Sequence, residues 1–266
     1  MVKVSRLSAG YRWGLAAAAA TVAALFSPHL ITYLHGKFMA GTGATRLAQS
    51  IVPQRPVERV ITGIDTNDLL SRLENGDAQW QPQEELLPDG STRFLYKRRS
   101  GEPDLSVSEL RSLINDPPTF FTEREAILHL LETLRQAGVR VILAPTINKG
   151  AAAEWDHREG LMRIQPYVTD KGSIDFLRVL NHEAIHVAQS CRSGYLLARP
   201  SPLGISVPKV DQTMRRSLNN PVYTNASHHE KVLELEAYSL QNNSNLARSM
   251  VSKECKLSPT SKLSHG

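Results

Sequence analysis

Hydrophobic spacing along the chain alternates between helical and strand-like periods. Ile127, Leu130, Leu131 and Leu134 recur at three- and four-residue steps and predict a helix over 122–138. Thr122 with Glu125 reads as its capping box and Gly138 as its stop. Shorter helices are expected after Asp65-Thr66, through Leu69, Leu70 and Leu73, and over 106–115. Strands are expected at 92–97, after the turn Pro88-Asp89-Gly90-Ser91, and at 139–144 and 161–166. The stretch 150–160 between the last two reads as a loop. Two more helical patterns follow. One starts at Ser173 as N-cap, with Asp175 in its first turn, and the other covers 228–241. The sum is an α+β chain with a small mixed or antiparallel sheet packed on helices.

The N-terminus has a different pattern. Lys3, Arg6 and Arg12 precede an apolar run from Trp13 to Phe26 that resumes as Leu30-Ile31-Thr32-Tyr33-Leu34. A basic flank before such a run marks residues 1–44 as a signal peptide or membrane anchor, with 13–34 approaching the ~20 residues that span a bilayer. The rest of the chain is then expected on the exported side. Residues 45–118, opening on Pro53 and Pro56, read as a linker and a mixed N-terminal region. Residues 119–250 read as the functional domain, with a loop-rich insertion at 194–219, and 251–266 as a disordered polar tail.

Charge changes the picture little. The net charge is +5, but residues 1–60 hold seven Lys/Arg against the single acid Glu58. The remainder carries 24 of the 31 basic and 25 of the 26 acidic residues, so nucleic-acid binding is not expected. The two cysteines, Cys191 and Cys255, lack metal-site spacing; in an exported chain they can form a disulfide stapling the C-terminal segment to the helix that starts at Ser173.

The chemistry gathers in His182-Glu183-Ala184-Ile185-His186. On a helix, His182 and His186 lie one above the other and can aim two imidazoles at one cation. Glu183 is turned about 100° from His182, within reach of a water at that cation without ligating it. Ile174, Leu177, Leu180, Ala184 and Ala188 would form the core face, and Val179, His182, Glu183, His186 and Ser190 the site face. A zinc site needs a third protein ligand. The 228–241 helix offers Glu230, Glu234 and Glu236, and spacing alone does not choose among them. His129 and His157 read as solvated.

His182-Glu183-x-x-His186 followed about fifty residues on by Glu234-x-x-Ala237-Tyr238 resembles the gluzincin class of metallopeptidases. The wording of the first helix also resembles small zincin-like proteins of bacteria. The resemblance implies a zincin-like fold, zinc on His182, His186 and Glu234, and Glu183 as general base in peptide-bond hydrolysis. It also implies that 161–166 is an edge strand to which a polypeptide substrate adds. Glu236 is the reserve third ligand. An aspartate usually closes the second motif, and Tyr238 stands there instead. Tyr223, His228 and His229 are candidates to steady an oxyanion, with nothing in the spacing to select one. The rival expectation is an inactive zinc-containing domain that binds a protein partner at the membrane surface.

Overall fold

The computed structural model describes residues 2–6, 59–61, 66–99, 102–148, 150–205, 218 and 226–257. Their fold is α+β: two small sheets with helices packed on them. In chain order the elements are β1 (Val2–Arg6), β2 (Arg59–Val60), α1 (Thr66–Ala78), β3 (Gln83–Leu86), β4 (Thr92–Tyr96), α2 (Val107–Asn115), α3 (Phe121–Gln136), β5 (Arg140–Leu143), β6 (Ala153–Asp156) and β7 (Leu161–Ile164). A 3₁₀ turn (Pro166–Lys171) leads into α4 (Ser173–Arg192), and α5 (His228–Leu240) and α6 (Ser244–Glu254) close the fold. The expected leader, apart from β1, lies outside the described residues, the 13–34 segment included. Among those described, no helix is long and apolar enough to cross a membrane.

One sheet has the order β1-β4-β3, and the other β2-β5-β7-β6. In the second, β5 and β7 are parallel and β6 runs antiparallel to β7. This corrects the sequence reading twice. Residues 153–156 are a strand rather than a loop, and β7 is interior rather than the edge. Both sides of β7 are paired, so no peptide can add to it. The strand at 153–156 was hidden because its polar positions are buried. Glu154 is fully buried, accepts the amides of Ile147 and Asn148, and faces Arg163 across the pair.

The main core lies between this sheet and α4, with α1, α3 and α6 around it. Leu69 and Leu73 of α1, Ile127, Leu130, Leu131 and Leu134 of α3, Met162 and Ile164 of β7, and Phe176, Leu180 and Val187 of α4 are all buried in one cluster. Each such side chain contributes about 1.5–3 kcal/mol by leaving water. Val251 of α6 joins the cluster, and Cys191 is disulfide-bonded to Cys255 across 64 residues. The start of the expected disordered tail is therefore the ordered end of α6. Ala247 and Val251, one helical turn apart, give that end its buried stripe.

Two helix starts differ from expectation. α3 begins at Phe121 with no side-chain cap, so Thr122 falls inside the first turn. The N-cap of α4 is Gly172, and Ser173 is the first helical residue. Asp77, at the end of α1, does the capping from a distance: its carboxylate accepts the Ser173 amide and hydroxyl, both at 2.6 Å, and the Arg124 guanidinium at 2.9 Å. The contact needs glycine on both sides. A Cβ at Gly76 would lie 2.4 Å from the Thr169 carbonyl oxygen, and one at Gly172 2.5 Å from the Asp77 carboxylate.

Candidate metal centre

α4 is buried from Leu180 to Cys191 with no break, because the sheet, α5 and α6 cover different sides of it. Two amide side chains set its register against α5. Asn181 Nδ2 donates to the Gln241 carbonyl at 2.8 Å, and Gln189 Nε2 to the Leu233 carbonyl at 3.0 Å. Eight residues forward on one helix match eight back on the other, so the pair is antiparallel. Midway, Ile185 and the small Ala237 pack together. α5 itself starts on a capping box, Ser227 with Glu230.

This register brings Glu234 to the histidines. His182 Nε2 and His186 Nε2 are 3.3 Å apart, and each is 3.4 Å from an oxygen of Glu234. Zinc ligands at 2.0–2.1 Å in tetrahedral array stand about 3.3 Å apart. The spacing and the donor set, two imidazoles and one carboxylate, fit zinc. All three residues are buried, with 1–5% of their surface exposed.

Burial disfavours charge on His186 and Glu234, and attraction between the groups overcomes it. With His186 and His182 beside it, Glu234 is held down to about 2. His186, facing Glu234 and Glu183, is pushed up to about 9. Glu183 is also buried, with 2% exposure, and its Oε2 has no hydrogen-bond partner. Burial pushes its carboxyl up, the two imidazoles pull it back, and the carboxylates of Glu234 and Glu154 add to the rise. That favours a base operating nearer neutrality. A cleft lined by Ala152, Ala153, Val179, Arg178, Gln241, His182 and Glu183 leaves about 20 Å³, room for one water-sized group.

The other candidates separate from this group. Glu236 is equally buried, but its carboxylate accepts four N–H groups: Gln189 Nε2, Leu203 N, Gly204 N and Ile205 N, at 2.8–3.2 Å. A carboxylate offers about four acceptor positions, so Glu236 has none left for a metal. Tyr238 meets His182 through its ring, edge-on at 4.7 Å between centroids. Ser190 leaves the expected site face and accepts Trp155 Nε1 at 2.9 Å. His129 and His228 are exposed, and His229 bonds the Pro200 carbonyl at 3.1 Å. His157 is half-buried at the β6–β7 turn, where burial lowers its basicity. Tyr223 lies outside the described residues.

Sequence reasoning missed Gln189. Its side-chain oxygen lies 2.7 Å from His186 Nδ1 while its amide nitrogen bonds α5. The available signal was its position three residues after His186, on the same helix face. No family model matches the chain, and no curated protein or solved structure matches it either.

Proposed function

We propose that the chain is a zinc-dependent hydrolase of peptide bonds, with His182, His186 and Glu234 as metal ligands and Glu183 as general base. One observation carries the reading: three donors at tetrahedral zinc spacing lie next to a buried carboxylate whose Oε2 has no partner. Zinc in this set supplies a Lewis acid that acidifies water and polarises a carbonyl. Glu183 takes the proton from the attacking water and delivers it to the departing amine. The hydrophobic packing of α4 holds Glu183 beside the histidines, and burial keeps its carboxyl basic enough for the transfer. The reading includes the zincin-like relationship of the two helices, a polypeptide substrate, and an exported chain with 13–34 as leader or anchor. The Cys191–Cys255 disulfide supports a compartment outside the reducing cytosol.

The test is hydrolysis of a mixed peptide library by the zinc-loaded chain and its Glu183→Gln variant. Cleavage by the wild type and none by a variant that keeps its zinc is expected. Zinc retention with no cleavage by either protein would support the inactive partner-binding domain instead.

A further inference from the structure

Gln189 is fully buried and forms three side-chain hydrogen bonds. Its Nε2 donates to the Leu233 carbonyl and to Glu236 Oε2, both at 3.0 Å. The Leu233 carbonyl only accepts, and both oxygens of Glu236 already take backbone N–H donors, so the end of the amide facing them must be the NH₂. The oxygen end then faces His186 Nδ1 at 2.7 Å, and an acceptor there requires the proton on Nδ1. In the neutral ring the lone pair is left on Nε2, the nitrogen that faces His182 and Glu234.

Glu236 holds the amide this way round. Its Oε2 takes Gln189 together with Leu203 N, and its Oε1 takes Gly204 N and Ile205 N. The Gln189 backbone carbonyl also accepts Ser201 N at 3.0 Å. The segment 201–205, which supplies none of the three ligands, is thereby tied to the orientation of one.

We propose that Gln189 is the positioning residue for His186, fixing its Nδ1–H tautomer, and that Glu236 and the backbone amides of 203–205 fix Gln189. The assignment rests on the zinc reading above. Outer partners of this kind orient the ring and raise its basicity as a ligand.

The test uses the full chain, with zinc affinity measured by competition with a chromophoric chelator and the ligand field read from the visible spectrum of the cobalt-substituted protein. Gln189→Ala is expected to weaken zinc binding by about 10- to 100-fold and to shift the cobalt bands. Gln189→Met, which keeps the volume and removes the acceptor, should do the same. A merely structural role would lower thermal stability and leave the cobalt spectrum alone. Long-range ¹⁵N–¹H correlation on the zinc-loaded wild type needs no variant and should find His186 with a proton on Nδ1 and the metal on Nε2. Unchanged affinity and spectrum in either folded variant, or metal on Nδ1, overturns the assignment and leaves the zinc reading standing. A wild type that binds no zinc overturns both.

Discussion

Asp77 and Glu234 are buried carboxylates that meet the same helix in two regions, and their surroundings differ in kind. Asp77 meets the first turn of α4 and is surrounded by groups that are always protonated: an amide, a hydroxyl and a guanidinium. Glu154 and Glu236 share that character, each taking two or more backbone amides. Glu234 meets the middle of α4 and faces two imidazoles, with the Glu183 carboxylate near. Imidazole can exchange its proton for a metal; an amide or guanidinium cannot. Burial alone therefore does not separate Glu234 from the other buried acids. The donors around it do.

The sharpest division is expected at Glu183. Glu183→Gln should lower peptide hydrolysis by about 10²- to 10⁴-fold while zinc content holds and the urea midpoint does not fall. A large loss of stability in this variant would move Glu183 into the scaffold class. Reduction of Cys191–Cys255, which closes a loop of 64 residues, should cost about 4 kcal/mol in urea unfolding. Asp77→Ala removes a distant cap and strands Arg124, and should cost about 3 kcal/mol, with zinc per folded chain unchanged. Zinc loss from the folded fraction would erase the distinction between the two regions.

The smallest effect is a pH dependence. In the metal-free chain His186 is raised from 6.5 to about 9, so its contribution to stability is complete below pH 6.5 and disappears as pH rises through about 9. Glu234 is lowered from 4.5 to about 2, so its contribution is complete above pH 4.5 and disappears as pH falls through about 2. Zinc must displace the His186 proton. Its affinity should rise about tenfold between pH 6 and 7, with about one proton released per ion, as titration calorimetry in two buffers would measure. A flat profile would mean that the imidazole is already neutral.

Periodicity was enough for α3 and α5, which each bury a side at helical spacing, and for the start of α4, which is buried all round from Leu180 to Cys191; α6 was not expected. It failed where partners lie far apart in sequence. The cap of α4 comes from Asp77, 96 residues before Ser173, so local residues suggested Ser173 itself. β6 escaped notice because Glu154 is buried by backbone amides of a neighbouring loop. The two histidines and Glu183 follow from helix geometry alone. The choice between Glu234 and Glu236 does not, since it depends on residues 203–205 meeting Glu236. Tyr238 became intelligible only in three dimensions, as a ring against His182.

Native mass spectrometry of the full chain after zinc loading, with Glu183→Gln and Glu234→Ala alongside, tests the centre most directly. About one zinc per chain is expected in the wild type and in Glu183→Gln, and none in Glu234→Ala. A wild type that takes up no zinc, or a Glu234→Ala variant that holds it equally well, would contradict the account.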